Sequence, residues 1–125
     1  FLGLRQDHHS FSHGWQNKEF ASISRFWVEQ YAYLVSRLDS MQEGDGTVLD
    51  NSCIMMANEQ WTAHNAPKVP LLLSGGLGGT LETGRSLDFE KSKQRSMSSL
   101  YLGLMDRMGV RLTGFGNATE QLSGV

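Results

Sequence analysis

The chain has 125 residues, a formal net charge of −2 at pH 7, 39% hydrophobic residues and 19% charged residues, which is the composition of one ordinary globular domain. So small a net charge argues against a nucleic-acid or membrane-surface partner, and no apolar run reaches the length of a membrane span. The single cysteine, Cys53, excludes an internal disulfide and a multi-cysteine zinc site. The sequence opens at Phe1 without a Met or a basic leader region, which predicts a mature segment or the later part of a longer protein.

Three of the four histidines lie in one stretch near the start, Asp7-His8-His9-Ser10-Phe11-Ser12-His13. His9 and His13 are four residues apart, so a helical turn would bring both imidazoles to one face. Such a pair can close on one metal ion, because neutral imidazole is a good ligand for zinc, iron and manganese. The alternative is that these are independent surface histidines, and the spacing alone leaves both interpretations open.

The clearest helix that the sequence predicts runs from about Phe20 to Met41. Its apolar residues recur every three or four positions, as in an amphipathic helix; they are Phe20, Ile23, Trp27, Tyr31, Leu34, Leu38 and Met41. We expect this stripe, with the neighbouring Phe26 and Tyr33, to be core rather than a ligand platform. Turn-forming residues 43–46 then end the helix.

Two short apolar runs, Cys53–Ala57 and Val69–Leu73, are expected to form neighbouring parallel or mixed strands of a buried sheet. Cys53 is expected to be a small core residue rather than a nucleophile. The polar stretch between the runs contains Glu59, which follows directly after the first strand. Since ligands gather beyond the carboxyl ends of strands in open α/β sheets, Glu59 is a candidate site residue.

The remaining part of the chain begins with a glycine-rich stretch, Ser74–Gly79, which lacks the Gly-Lys-Ser/Thr of a phosphate loop and is expected to be a flexible turn. Arg85 is a candidate contact for an anion, although a lone exposed arginine usually has no such role. A second helix is predicted from Gln94 to Met108, with Gly109 as its C-terminal stop.

Taken together, the motifs resemble a known family. They are His9-x-x-Ser12-His13, Glu43-Gly44-Asp45-Gly46-Thr47, Leu49-Asp50-Asn51-Ser52, Asn58-Glu59, His64, Val69-Pro70-Leu71-Leu72-Leu73-Ser74-Gly75-Gly76, Thr83-Gly84-Arg85, Met108-Gly109-Val110 and Phe115-Gly116. In this order they resemble the bacterial HXXSHH-motif family of unknown function over essentially the whole chain. The sequence departs from the family at Gly14, where another histidine is frequent.

That family is more distantly similar to the C-terminal part of the alkaline phosphatase superfamily. The resemblance implies an α/β fold with helices packed on a mostly parallel sheet. It also implies that residues 1–125 form a single domain, the C-terminal portion of a larger alkaline-phosphatase-like domain. The nucleophile would lie in the N-terminal half of that domain, outside these residues, and the location would be periplasmic or secreted.

The resemblance also implies a ligand set. His9 stands where the superfamily has the first Asp of one metal site, His13 where it has the His four residues later, and His64 where a later His completes that site. These three imidazoles would hold a divalent metal, zinc or manganese, and leave a coordination position open for water or substrate. Glu59 would be a fourth ligand or an orienting group. Asn58 and Glu59 stand for the Asp-His pair of a second site, whose oxygen ligands would hold zinc poorly and suit weakly bound magnesium or calcium instead.

Three functional hypotheses follow. The first is the C-terminal part of a metal-dependent hydrolase of phosphate- or sulfate-type esters, with the substrate itself undefined. The second is a non-catalytic surface or scaffold module that retains the fold, which the Asn at position 58 favours. The third is a mononuclear iron enzyme with His9, His13 and Glu59 as a two-histidine, one-carboxylate face.

Overall fold

A computed structural model describes residues 2–13, 18–58, 64 and 68–125. Three helices and two small antiparallel sheets form a mixed α/β arrangement. In chain order the elements are α1 (His8–Ser12), α2 (Lys18–Asp39), β1 (Gln42–Glu43), β2 (Gly46–Thr47), β3 (Ile54–Ala57), β4 (Leu71–Ser74) and α3 (Met97–Arg107). Within these ranges no helix is both long and apolar enough to cross a bilayer.

The long helix predicted at Phe20–Met41 is confirmed as α2, which runs from Lys18 to Asp39. A tight hairpin follows, in which β1 and β2 pair antiparallel with Glu43 opposite Gly46. Gly44 has φ +58° in the turn of this hairpin, a backbone conformation that side chains disfavour. The turn predicted at residues 43–46 is therefore the tight turn of a β-hairpin, with Gly44 in the left-handed conformation.

The apolar stripe predicted for this helix is only partly buried. The expectation that it is core is wrong for its exposed members, Trp27, Leu34 and Met41, and for the neighbouring Tyr33. Ile23 is 6% exposed, whereas Trp27 is 52% exposed and Tyr33 is 65% exposed. Periodicity identifies which face of a helix is apolar, but it does not supply the element that covers the face. Within the described residues, too little of the chain packs against α2 to bury it.

Strands β3 and β4 are neighbours, as predicted, but they pair antiparallel, with Ile54 opposite Ser74 and Ala57 opposite Leu71. The expectation of a mostly parallel sheet is therefore wrong for the part of the chain described. Short apolar runs have the same appearance in parallel and antiparallel pairs, because the pattern records burial and not strand direction. A parallel pair also needs a crossover, usually a helix, and the described residues between these strands contain none.

The core lies between one face of the β3–β4 sheet and α3. Leu100 and Leu104 of α3 and Leu81 form its buried centre, and Met55, Leu73 and Cys53 are among the side chains that pack on it. Burial raises the pKa of the Cys53 thiol, which disfavours the thiolate and agrees with the expected packing role.

The second predicted helix, Gln94–Met108, is confirmed as α3 over a shorter range. It begins after Ser96, whose side chain accepts a hydrogen bond from the Ser99 N–H at 3.0 Å and thereby satisfies one of the free amides of the first turn. It ends at Arg107, with Met108 as its C-cap. Gly109 follows with φ +83°, as the sequence predicted for the C-terminal stop.

The glycine-rich stretch after β4 is closely packed against residues 49–52. The backbone N–H groups of Gly76, Leu77 and Gly78 donate to the carbonyl oxygens of Leu49, Ser52 and Asp50 at 3.1, 3.0 and 2.9 Å. These amides are therefore already paired and are not presented to a phosphate, which agrees with the reading of this stretch as a turn. The hydrogen bonds connect this stretch to residues 49–52, and its flexibility stays a prediction.

A tyrosine connects α2 to the strands. The Tyr31 hydroxyl lies 3.1 Å from the Ile54 carbonyl oxygen and 2.8 Å from Ser74 Oγ. Replacing Tyr31 with Phe should lower the free energy of unfolding by about 1 kcal/mol, because a part-buried hydrogen-bonding group is lost. Chemical denaturation of the variant measures this difference.

The matched control is Tyr33→Phe, on the same helix and 65% exposed, which should leave the free energy of unfolding unchanged. Equal losses in Tyr31→Phe and Tyr33→Phe would contradict the assignment of this contact.

The chain exposes a large surface for its mass. Its accessible area is 9126 Å², whereas a compact monomer of 13.9 kDa exposes about 6700 Å². No side chain among the described residues is below 2% exposure. The excess agrees with the exposed stripe of α2 and with the small size of the sheet.

Candidate metal centre

The first helix, α1, presents two histidines on one face. Asp7 caps it: the Ser10 N–H donates to one Asp7 carboxylate oxygen and the Ser10 hydroxyl to the other, both at 2.9 Å. The hydrogen bond from the Ser10 N–H is the larger cause, and the one from the Ser10 hydroxyl the second, of a pKa of the Asp7 carboxyl below its usual range. His13, the C-terminal cap, retains helical backbone angles, so His9 and His13 lie one turn apart on the same side.

The ring nitrogens of these two histidines face each other. His9 Nε2 and His13 Nε2 are 3.2 Å apart. Two imidazole nitrogens bound to one tetrahedral zinc at 2.0–2.1 Å are separated by about 3.3–3.4 Å. The pair is therefore already spaced like one edge of a metal coordination tetrahedron. Without a metal, the same contact requires one ring to donate and the other to accept a hydrogen bond.

His64 joins this pair. Its ring centroid lies 5.2 Å from that of His9 and 5.1 Å from that of His13, and one ring nitrogen from each of the three lies within 4.8 Å of the others. The three rings therefore lie close together, and their role as metal ligands stays a prediction. His64 has φ +66°, a left-handed conformation that costs a non-glycine residue about 1 kcal/mol or more.

No known protein family, curated protein or solved structure matches this chain. The HXXSHH-motif resemblance, and the more distant one to the alkaline phosphatase superfamily, stay expectations based on the motifs themselves. The chemistry of the site is therefore argued below from its own geometry.

The three rings are open to solvent, since His9, His13 and His64 are all exposed. A metal held by three imidazoles on an exposed surface retains positions for water or an external ligand, which is the arrangement of catalytic rather than closed structural sites. Neutral imidazole is the ligand, so protons compete with metal and affinity is expected to fall on acidification.

The other predicted ligands are less defined. Asn58 is exposed just after β3, its backbone N–H donates to the Pro70 carbonyl oxygen at 3.4 Å, and its side chain has no hydrogen bond to another described residue. Glu59 lies outside the described residues. The second, oxygen-rich metal site predicted from this pair therefore remains a prediction.

His8 belongs to the same sequence cluster but lies outside the group of three. Its ring stacks on Phe20 of α2 at a centroid distance of 5.5 Å and an interplanar angle of 24°. The sequence placed three histidines together, and the helical turn separates them: His9 and His13 share one face, while His8 contacts α2.

Asp7 is the functional residue that the sequence reasoning missed. It was part of the histidine-rich stretch but was not recognised as a helix cap. The sequence does indicate this capping role, because an Asp immediately before a helical turn is a common N-cap.

Replacing Asp7 with Ala should weaken metal binding several-fold, because α1 loses the cap that holds His9 and His13 one turn apart. Asp7→Asn keeps a capping oxygen and should retain most of the affinity. The pKa of Asp7 is lower in the folded state than in the unfolded state. The Asp7 carboxylate therefore stabilises the fold above its unfolded-state pKa, and this stabilisation is lost as the pH falls through its folded-state pKa. Zinc titration calorimetry of the three proteins measures the difference, and equal affinity of Asp7→Ala and wild type would contradict this role.

Proposed function

We propose that the chain binds one divalent transition metal, zinc or manganese, through His9, His13 and His64. We further propose that it is the C-terminal part of a metal-dependent hydrolase of phosphate- or sulfate-type esters. The observation that supports the metal site is the convergence of three imidazoles, two from α1 and one from a residue far along the chain. The hydrolase assignment depends on the resemblance described above.

A metal is the most direct explanation for three imidazoles placed this close together. Protonation of more than one ring would bring like charges within a few ångströms in the exposed group. A divalent cation instead interacts favourably with all three neutral rings. The left-handed backbone at His64 is in keeping with a functional constraint, because such strain persists where the surroundings demand it.

The three histidines would hold the metal and leave its remaining coordination positions open to solvent. When bound, the metal supplies Lewis acidity that polarises an ester oxygen. Glu59 would act as a fourth ligand or would orient one of the imidazoles. The attacking nucleophile, by the resemblance, is supplied by sequence outside these 125 residues.

One observation favours the alternative of a non-catalytic surface or scaffold module. Asn58 stands where the resemblance has an Asp, so a neutral amide oxygen replaces a charged oxygen ligand. The two-histidine iron site is less well supported, because His64 completes an all-histidine set.

The test combines elemental analysis with an ester panel. The complete protein, purified without chelator, should contain about one equivalent of zinc or manganese per chain and should hydrolyse p-nitrophenyl phosphate or p-nitrophenyl sulfate. Metal without hydrolysis of any ester in the panel would favour the scaffold module, and ferrous iron would favour the iron enzyme. A chain that takes up no metal on reconstitution with zinc, manganese or ferrous iron would overturn the proposal.

A further inference from the structure

A second candidate site is a cavity that none of the histidines lines. Its volume is about 610 Å³, and it is bounded by β4, α3, the segment around residues 81–90 and the C-terminal residues. Cavities of this size, roughly 300–1000 Å³, are typical of small-molecule sites.

One wall of the cavity is aliphatic. It is formed by Leu71 and Leu73 of β4, Met97 and Leu100 of α3, and Leu81 and Leu122. Leu81 and Leu100 are also part of the buried centre of the core, so this wall has support behind it. An alkyl chain lying against it would remove apolar surface from water on both partners.

Arg85 is a cation that lines the same cavity. Its side chain is 29% exposed, its Nε donates to the Glu82 carbonyl oxygen at 2.9 Å, and its nearest carboxylate contact is a 3.5 Å approach to Glu82, whose side chain is 79% exposed. Its remaining N–H donors have no acceptor among the described residues. A partly desolvated guanidinium with so weak a counter-ion favours a bound anion.

The other charges at the cavity agree with this assignment. Arg95 donates through Nη1 to the Glu90 carbonyl oxygen at 2.7 Å and keeps donors to spare. Of the acidic side chains that line the cavity, Glu90 lies 3.5 Å from Lys68, Asp88 accepts the Glu90 N–H at 2.8 Å, and Glu82 approaches Arg85 at 3.5 Å. The lining side chains balance in charge, with Lys68, Arg85 and Arg95 against Glu82, Asp88 and Glu90. The C-terminal carboxylate of Val125 adds a negative charge, which Arg107 contacts. Arg85 and Arg95 have N–H donors without an acceptor among the described residues.

We propose that this cavity binds an aliphatic carboxylate, with the alkyl chain against the leucine wall and the carboxylate on the Arg85 guanidinium, assisted by Arg95. A carboxylate accepts two parallel N–H bonds from one guanidinium, a geometry that a lysine or a helix amide does not reproduce. The proposal is independent of the metal site, since it involves none of its ligands.

Binding of decanoate to the 125-residue chain, measured by calorimetry, tests the proposal. Decanoate should bind at least about tenfold more tightly than 1-decanol, because a hydrogen-bonded charged group typically contributes 1.5–3 kcal/mol. Decyltrimethylammonium should bind more weakly still. Equal binding of the three ligands, or no binding of decanoate, would overturn the assignment.

Arg85→Gln should weaken decanoate binding by about tenfold or more and leave 1-decanol binding unchanged. Arg111→Gln is the matched control, because Arg111 has an 87% exposed side chain and pairs only at 3.9 Å with Asp106. Circular dichroism establishes that each variant folds. If Arg85→Gln does not fold, the comparison of the three ligands on the wild-type chain remains decisive.

Discussion

Replacing His13 with Ala should remove the bound metal almost completely, with a loss of affinity of about 100-fold or more, since even groups that only orient a ligand contribute 10–100-fold. His13 Nε2 lies 3.2 Å from His9 Nε2, so the substitution removes one of the two nitrogens whose spacing already suits a metal. Elemental analysis after dialysis, with zinc titration calorimetry, measures the loss.

Two variants serve as controls for this result. His8→Ala should retain the metal, because His8 stacks on Phe20 outside the group. Glu59→Gln should retain most of it, since three imidazoles would remain. Equal loss in His8→Ala and His13→Ala, or two equivalents of zinc surviving dialysis of the wild type, would show that the metal is held elsewhere.

Replacing Gly76 with Ala should lower the free energy of unfolding by about 1–3 kcal/mol or more, the cost of forcing atoms into a filled space. An added Cβ would lie 2.6 Å from the Asp50 carbonyl oxygen, and a backbone atom cannot rotate away as a side chain can. The turn between β4 and the core would have to move, and with it the pairing of β3 and β4. Denaturant titration measures the loss.

Gly103→Ala is the matched control and should have the opposite sign. Gly103 lies inside α3, where a Cβ would meet the Gln121 Cβ at an ordinary 3.7 Å. Alanine in a helix interior is favoured over glycine by about 0.5–1 kcal/mol. A Gly76→Ala chain as stable as Gly103→Ala would show that the turn is not closely packed.

The helices were the most predictable part of the fold, because their signals are local. The spacing of apolar residues gave α2 and α3 to within a few residues, and Gly109 marked the end of α3. Strand direction and the exposure of Trp27 were not predictable, because both depend on which distant segments meet and periodicity contains no such information.

The two candidate sites also differ in how much of each the sequence predicts. The pairing of His9 with His13 follows from a four-residue spacing, whereas the approach of His64 was implied by family resemblance and not by any local pattern. The sequence indicated Arg85 only as a candidate anion contact, and it did not indicate the cavity, because β4, α3 and the C-terminal residues contribute separate walls. Sites within one helical turn can be read from sequence, and sites between distant segments require the fold.

The large accessible surface also determines how stability varies with conditions. An unfolded chain of 13.9 kDa exposes about 20,000 Å², and the native chain exposes 9126 Å². Folding thus removes roughly 11,000 Å² from water, about a fifth less than a compact monomer of that mass. The heat-capacity change and the denaturant dependence of unfolding both scale with this area. The stability curve is therefore flatter, and unfolding extends over a wider range of temperature and denaturant than is usual for a chain of this length.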